Sequence, residues 1–362
     1  MKIKEFRKSI GIFAVFAIFA IITGIFSGCQ TKTSSQSSTN GDKVQVTDFS
    51  GNKISINKKI NNVVSIHPIF TQMTWSLAPS KLKNVDKVFK SRYLSEGGTN
   101  AFSSEDMNKL KKLPVTNAFF QGVDPEQVTK LNPDILITIS KDPNLKKLKQ
   151  QLNVPILVLS KDSLNDYEKS FRILGKVLDN EKEANNLADY WKQTITEVSK
   201  ENEKKQVKDR PKVYYAGSGG ILQTVESKTI MASIVDTAGG NNVSDELIEN
   251  QTNENAAVSM EQVILWNPDI IILQNQKQKD EIMNDNAWKK INAVKNGKVY
   301  VQLKYAQMDG VTALSSLLWC NNVINHKDDQ KYNEKFNEEM KTFYLKFFKY
   351  NITKDQLAEL QK

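Results

Sequence analysis

The chain reads DPEQVTKLNPDI at residues 124–135 and carries a near copy, SMEQVILWNPDI, at residues 259–270. Glu126 and Glu261 hold the same place in the two copies and lie 135 residues apart (261 − 126), about one domain length. This distance is too long for a solenoid period. The repeat therefore predicts two similar lobes.

Each copy has the sequence of a short helix that ends just before a buried strand. Asp124 and Ser259 are suitable N-cap residues, and Gln127 and Gln262 are placed to complete capping boxes. The proline of each NPD triplet stops the helix, and an apolar run follows, which predicts a strand. Both helices are thus expected to carry a glutamate in their first turn.

Composition and charge favour an ordinary globular protein. The 362 residues are 39% hydrophobic and 25% charged, which is enough chain for two cores. The net charge is +9, but acids are interspersed among the lysines and no basic block contains interleaved aromatics, so no nucleic-acid partner is expected. The sequence has two histidines and no GxSxG, Walker A or HExxH motif, so we do not expect an enzyme.

The first 29 residues have the pattern of an export signal. Basic residues precede an uncharged apolar run at residues 10–26, and the segment ends in FSGC at Cys29. This pattern resembles a bacterial lipoprotein signal, which implies that residues 1–29 end at a lipidated cysteine. An uncleaved membrane anchor is the alternative, because about 17 apolar residues nearly span a bilayer. Under both interpretations the rest of the chain is exported.

The remaining chain divides into a tether, two lobes and a connecting helix. Residues 30–42 are almost entirely polar and predict a flexible tether. Strand and helix patterns alternate over residues 43–161 and again over residues 180–362. Residues 162–179 keep a helical period with no loop signal. The expected fold class is α/β, with two similar lobes built on central sheets and joined by a single long, rigid α-helix.

In this order the features resemble the ABC-transporter substrate-binding proteins whose lobes are joined by a rigid helix. That family includes binders of ferric siderophores, haem and cobalamin. The resemblance covers residues 44–360. Its marks, in chain order, are TDFSGNK at 47–53, the two Glu…Asn-Pro-Asp units, Leu174-Gly175, GGN at 239–241 and VKNGKVY at 294–300.

The resemblance implies a monomeric receptor on the outer face of the bacterial cytoplasmic membrane, held there by its lipid. Its partner would be an ABC permease dimer with a cytoplasmic ATPase. In this family one acidic side chain per lobe docks on arginine pockets of the permease, and Glu126 and Glu261 match those positions by motif. A first-turn glutamate also stabilises its own helix through the macrodipole. The two roles are compatible, because a capped helix end fixes the carboxylate in place.

Ligand contacts are expected from loops at the carboxyl ends of strands, facing the gap between the lobes. His67 follows the first buried strand and suits either a metal or an anionic oxygen, with a structural loop histidine as the alternative. Met73 suits a haem thioether contact or the core. The candidate ligand-binding residues are His67, Arg92, Tyr93, Phe120, Ser218, Lys304, Tyr305 and Met308.

No intrinsic cofactor is expected, and the sequence does not identify metal ligands. The bound cargo is expected to be a metal complex, with a ferric siderophore or haem first and a corrinoid or a metal oxyanion such as molybdate or tungstate as alternatives. A chelate needs a wide cleft walled by aromatic and cationic groups, whereas a small oxyanion needs a tight nest of hydroxyls and N–H groups. The second class of function is a sensor or adhesin that keeps the fold without transport.

Overall fold

The structure is a computed structural model that describes residues 43–95, 102–246, 255–303 and 309–361. Its strands are β1 Lys43–Thr47, β2 Lys53–Asn57, β3 Val63–Ser65, β4 Val85–Asp86, β5 Val115–Thr116, β6 Ile135–Ile139, β7 Ile156–Leu159, β8 Lys212–Tyr215, β9 Gln223–Thr224, β10 Asn241–Asn242, β11 Ala256–Ala257, β12 Ile270–Leu273 and β13 Val299–Val301.

The helices are distributed along the whole described chain. They are α1 Pro68–Leu77, α2 Lys87–Phe89, α3 Ser104–Lys111, α4 Pro125–Lys130, α5 Leu145–Gln151, α6 Leu164–Val177, α7 Glu181–Asn202, α8 Ile230–Thr237, α9 Met260–Trp266, α10 Gln276–Asn284, α11 Asn292–Lys295, α12 Ala313–Asn321, α13 Gln330–Phe348 and α14 Lys354–Leu360.

Strands β1 and β2 form the antiparallel hairpin that the alternating residues predict. The Asp48 carboxylate accepts a hydrogen bond from the Asn52 backbone N–H at 2.8 Å and closes the turn. Gly51 has φ +82°, a left-handed conformation that favours glycine. The Phe49 N–H donates to the Val158 carbonyl at 2.9 Å, so the hairpin is attached to the edge of β7.

The first sheet is parallel, with the strand order β3-β6-β7. Val63 pairs with Ile135, and Leu136 pairs with Ile156. These strands are almost wholly Val, Ile and Leu and are buried on both faces, as is typical of a parallel sheet covered by helices. Strands β4 and β5 form a short parallel pair. Leu82, three residues before β4, forms an isolated bridge with Val63, which places this pair next to β3.

The second sheet is also parallel, with the order β10-β8-β12-β13. Ile271 pairs with Tyr214 on one side and with Val299 on the other, so β12 is an inner strand. Strands β9 and β11 form a separate antiparallel ribbon. Because both main sheets are parallel, each gathers the carboxyl ends of its strands at one edge. The structure thus has the two α/β lobes that the repeat predicts.

Helices α6 and α7 lead from the first sheet to the second. Helix α6 packs against β1 and α1 and also against α8, so it touches elements on both sides. Asp179, at φ +53°, reverses the chain between α6 and α7. Gly175 permits their close approach, because a Cβ there would lie 2.3 Å from the Ala184 Cβ. The Asn180 side chain donates to the Leu77 carbonyl at 2.8 Å and fixes the corner to α1.

One apolar core runs through both lobes. It includes side chains of β3 and β6, of α6 and α7, and of β8 and β12. Trp191 of α7 stacks on Tyr167 of α6 with ring centroids 4.8 Å apart, and its Nε1 donates to the Leu164 carbonyl at 2.7 Å. The described residues from Lys43 onwards accordingly form one compact unit. A core shared by both lobes resists wide hinge motion. The exact lobe boundaries at 161/162 and 179/180 stay predictions.

The repeated helix–strand unit is built as predicted in outline but differs in its caps. Asp124 accepts from the Glu126 N–H, and Ser259 accepts from the Gln262 N–H. The reciprocal side-chain bonds expected from Gln127 and Gln262 do not form in the described part of either unit, so the capping-box prediction is wrong. Both helices end where an asparagine, at position 132 or 267, adopts a left-handed conformation just before the proline.

Candidate functional site

The two sheets present different polar groups at the carboxyl ends of their strands. On the first sheet, His67 lies just beyond β3, Asp142 beyond β6 and Lys161 beyond β7. On the second sheet, Gln274 directly follows β12 and Gln302 directly follows β13. These edges are where ligands bind in open α/β sheets.

His67 is the N-cap of α1 and is 2% exposed. Its ring lies between Phe119 and Phe70, with both pairs of ring centroids 4.9 Å apart. Its Nδ1 accepts a hydrogen bond from the Ile69 N–H at 3.3 Å. The proton of the neutral ring is therefore on Nε2, which makes Nε2 a hydrogen-bond donor in this arrangement.

The charge state of His67 follows from its surroundings. Burial lowers its pKa to about 3, and the positive charges of Lys161 and Arg92 act in the same direction, whereas Asp309 opposes them. The imidazole is thus neutral at physiological pH. A neutral ring with a proton on Nε2 suits an anionic oxygen better than a metal ion, which needs the lone pair.

Arg92 and Asp309 form an ion pair, with Nη1 and Oδ2 3.3 Å apart. Arg92 lies in the π-helical turn that follows α2, and Asp309 lies between β13 and α12. Burial alone raises the pKa of the Asp309 carboxyl, but Arg92 and Lys161 outweigh it and hold the pKa below its usual range. Two cations, one carboxylate and a neutral histidine therefore act on one another in this part of the described structure.

The segment that begins at Asp309 is attached to helices α1 and α6. The Gly310 N–H donates to the Tyr167 hydroxyl at 2.9 Å, and the Val311 N–H donates to Gln72 Oε1 at 3.0 Å. Gly310 has φ +89°, and a Cβ there would lie 3.2 Å from Gln72 Oε1, so glycine is required. These bonds place Asp309 beside Arg92.

The second sheet ends in a ring of three hydrogen-bonded side chains. The Tyr215 hydroxyl donates to Gln302 Oε1 at 3.0 Å, and Gln274 Nε2 donates to the Tyr215 oxygen at 2.8 Å. Gln302 Nε2 closes the ring on Gln274 Oε1 at 2.9 Å. These hydrogen bonds hold the three polar side chains in fixed positions at the carboxyl edge of this sheet.

The structure brings together only part of the predicted ligand set. His67 and Arg92 share the charged cluster. Tyr93 is buried against Phe89, so it offers the cluster no exposed ring; burial raises the pKa of its hydroxyl. Phe120 is 57% exposed and stacks edge-on against Phe119.

Ser218 bonds to a neighbouring loop residue, and Met73 packs in the core. The Ser218 hydroxyl donates to Asn255 Oδ1 at 3.0 Å in an exposed loop after β8. Met73 is fully buried in the core, which agrees with its core interpretation and removes it as a thioether contact in this arrangement. Lys304, Tyr305, Met308 and Cys29 lie outside the described residues.

Sequence reasoning missed Lys161, Gln274 and Gln302, and it included Asp309 in a ligand-contact loop without singling it out. Lys161, Gln274 and Gln302 each come one or two positions after a strand of a parallel sheet, and this position is the available signal. Asp309 directly follows Met308 in the sequence. No local pattern indicates its pairing with Arg92, which depends on the tertiary fold.

Glu126 and Glu261 occupy the same place in their helices. Each is the second residue of its helix and is exposed. The pKa of Glu261 is lowered by its own backbone N–H and by the Ser259 hydroxyl. Both helices therefore present a carboxylate to solvent at a capped helix end.

Two cavities of the second lobe lie among its helices. A cavity of about 1050 Å³ lies between α13 and α14 and is lined by lysines, glutamates and Leu357. Another, of about 670 Å³, is formed mainly by residues 323–331. Neither includes a residue of the charged cluster, and neither lies at a carboxyl edge, so the candidate site is the cluster of His67, Arg92, Lys161 and Asp309.

Comparison with known proteins identifies the family. A sequence model of the periplasmic binding protein family matches residues 94–305, more than half of the chain. The chain belongs to the periplasmic binding protein family. Its two parallel sheets are accordingly those of a solute-binding protein.

Several proteins resemble this periplasmic binding protein. An uncharacterized ABC transporter substrate-binding lipoprotein of Bacillus subtilis, YvrC, is 24% identical over 318 residues, which are 81% of this chain and 90% of the relative. The high-affinity heme uptake system protein IsdE of Staphylococcus aureus is 29% identical over 207 residues, 53% of this chain and 67% of IsdE.

A solved structure has the same fold. The molybdate periplasmic binding protein MolA of Haemophilus influenzae, bound to molybdate, superposes with a TM-score of 0.72 at 18% identity, covering 86% of this chain and 99% of MolA. Among the described residues of this periplasmic binding protein, no helix is long and apolar enough to cross a membrane.

Proposed function

We propose that this periplasmic binding protein is the receptor of an ABC importer and captures an anionic metal complex, a ferric siderophore or haem. The charged cluster is the observation that carries the proposal. Arg92 and Lys161 supply positive charge, and His67 offers a buried Nε2–H donor. Such a set binds anionic oxygens through charge-assisted hydrogen bonds. The haem-uptake relative supports this class of cargo.

A metal oxyanion is the alternative cargo, supported by the molybdate-bound structure of the same fold. An oxyanion would use the same cations and the same Nε2–H, so the cluster alone fits both classes. The partly exposed Phe119 and the exposed Phe120 favour the chelate, because aromatic walls pack against a large ligand and have no role around a small oxyanion. A corrinoid would use the same aromatic wall.

The cargo is tested by purifying the full chain from its native host and measuring its visible spectrum and metal content. A broad visible charge-transfer band with bound iron is expected for a ferric siderophore, and a Soret band for haem. A colourless protein that contains molybdenum or tungsten would show that the cargo is a metal oxyanion and not a chelate. A protein that carries none of these and binds neither haemin, ferric citrate nor molybdate in titrations would contradict the proposal.

Docking on the permease is proposed to use Glu126 and Glu261. Each carboxylate would pair with a cationic pocket on one permease subunit, and the pairing should weaken with salt. The double variant Glu126→Ala/Glu261→Ala is expected to abolish uptake of the cargo while the cargo still binds the receptor. Glu105→Ala is the matched control, because Glu105 is also an exposed second residue of its helix. Unchanged uptake in the double variant would favour the sensor or adhesin.

The anchor and location are also proposals. Cys29 would carry the lipid, residues 30–42 would form the tether, and the lobes 43–161 and 180–362 with the linker helix 162–179 would lie as a monomer on the outer face of the cytoplasmic membrane. Labelling with a radioactive fatty acid tests this. Cys29→Ser is expected to lose the label and leave the membrane fraction, whereas Cys320→Ser keeps both.

A further inference from the structure

Helices α4 and α9 present the same glutamate but differ one turn later. Glu126 is followed at the third and fourth positions by Thr129 and Lys130, whereas Glu261 is followed by Ile264 and Leu265. Residues three and four apart lie on one face of a helix. The carboxylate of the second lobe therefore has apolar neighbours where the carboxylate of the first lobe has polar ones.

The two apolar side chains are not used by the fold. Helix α9 packs on the second sheet through Val263 and Trp266, which are buried. Ile264 is 45% exposed and Leu265 is 77% exposed. In α4 the corresponding Thr129 hydroxyl instead donates to the carbonyl of Pro125 at 2.8 Å. The apolar pair is thus a feature of one repeat only, although both repeats share their capped ends.

We propose that Ile264 and Leu265 form an apolar anchor beside Glu261 that docks on the permease, so that only the second lobe makes an apolar contact there. This inference rests on the proposed function and extends its docking step. The partner surface would carry a cation for Glu261 next to an apolar hollow for Leu265. The first lobe would meet the other permease subunit through the Glu126 carboxylate, with no apolar contact beside it.

A permease fits this surface better than a second copy of the chain. In a two-fold dimer built on Leu265, the same patch would lie on both sides of the interface. Glu261 is one helical turn from Leu265, so the dimer would bring the two Glu261 carboxylates close together. Like charges repel at such a distance. A cationic partner removes this repulsion.

Photocrosslinking in the native host locates the partner. A photoreactive benzoyl-phenylalanine is placed at Leu265, or at Thr129 for comparison, in the full chain. The Leu265 probe is expected to give an adduct that mass spectrometry identifies as the membrane subunit of an ABC permease, more abundant than any Thr129 adduct. An adduct with a second copy of this chain, or no protein adduct at all, would overturn the inference.

Affinity for that permease, reconstituted with its ATPase in nanodiscs, measures the contribution of the anchor. The exchange Ile264→Thr/Leu265→Lys gives the second lobe the residues of the first and is expected to weaken docking at least about tenfold. Thr129→Ala and Lys130→Ala are the matched controls and should change the affinity less than about twofold. Equal binding to empty nanodiscs of the same lipids would assign the patch to the membrane and overturn the inference.

The docking proposal and the anchor proposal fail in different ways. If Glu126→Ala/Glu261→Ala prevents docking and the Ile264→Thr/Leu265→Lys exchange has no effect, the anchor is wrong and the receptor function stands. If neither change affects docking, both are wrong. The crosslink at Leu265 does not depend on the exchange variant, so a folding defect in that variant would not remove the test.

Discussion

The Arg92 guanidinium and the Asp309 carboxylate lie 3.3 Å apart, although 217 residues separate them in the chain. This pair joins the loop region of the first sheet to the segment that follows the last strand of the second. The half-buried Asp309 carboxylate keeps the arginine in place, so the proposed anionic ligand would meet an arginine that is already oriented. A preformed site of this kind reduces the ordering that binding requires.

Removing the cations of the cluster should weaken ligand binding. The ligand for this test is whichever of haemin, ferric citrate and molybdate binds the wild-type protein. Arg92→Met and Lys161→Met are each expected to lower the affinity for that ligand by at least about tenfold, or about 1.4 kcal/mol. Fluorescence titration of the full chain measures it. Lys141→Met is the control, because Lys141 pairs with Asp162 at the exposed rim of the same edge. Affinities equal to the wild type would exclude the cluster as the site.

His67 should make the free energy of unfolding depend on pH. Burial lowers its folded pKa to about 3, below its ordinary value of about 6.5, so the unfolded chain binds a proton in this interval that the folded chain does not. Stability is therefore lost as the pH falls from about 6.5 towards 3. Between pH 7 and 5 the wild type should lose about 1–2 kcal/mol more than His67→Asn in urea unfolding.

Comparison with His67→Asn separates the effect of His67 from that of a buried carboxyl, Asp86, whose contribution to stability changes with pH in the opposite direction. Burial raises the pKa of Asp86 to about 6, so its contribution to stability is present at low pH and is lost as the pH rises from about 4 through 6. Both proteins contain Asp86, so the difference between them reports the histidine. Parallel pH profiles for the two proteins would show that His67 is not a buried neutral group.

Gly175 should be necessary for the hairpin of α6 and α7. In Gly175→Ala the new Cβ would lie 2.3 Å from the Ala184 Cβ and 3.2 Å from the Glu181 Cα, so the helices must move apart. Overpacking of this kind costs about 1–3 kcal/mol, which urea denaturation detects. Lys176→Ala, at the exposed next position, should change stability by less than about 0.5 kcal/mol. A variant as stable as the wild type would mean that the two helices are not packed this closely.

Cys320 should be chemically inert in the folded protein. It is fully buried in α12, and burial raises the pKa of its thiol, so little thiolate is present to react. Alkylation by iodoacetamide is expected only after unfolding in guanidinium, at least about a hundredfold faster than in buffer. Lys146→Cys provides an exposed reference thiol on α5. Rapid labelling of Cys320 in buffer would show that α12 opens readily.

Local patterns predicted the secondary structure well where they were long or repeated. The hairpin β1–β2, the buried strands β6 and β12, and the helices α6 and α7 appear where periodicity and turn residues indicated them. The capping boxes are incomplete, because Asp124 and Ser259 accept bonds from their helices but Gln127 and Gln262 do not return one to the cap N–H. Short strands such as β4, β5 and β9 have too few residues to show a period.

The sequence predicted a residue of the candidate site only where a chemically distinctive side chain follows a strand. His67 was found in this way. Lys161 was missed because a lysine among many lysines carries no signal in one sequence, and Gln274 and Gln302 were missed because single amides are common in loops. Asp309 depends on bonds from the next two residues to Tyr167 and Gln72, which no local pattern encodes.

The sequence by itself determined that the chain has two related halves, because the repeated helix–strand unit and the apolar periods are local properties of neighbouring residues. The tertiary structure decided which charges meet. It brought Arg92 to Asp309, buried His67 between two phenylalanines and left Leu265 exposed beside Glu261. The reason is that charge pairing and burial depend on contacts between residues distant in the chain, and these exist only once the two sheets share a core.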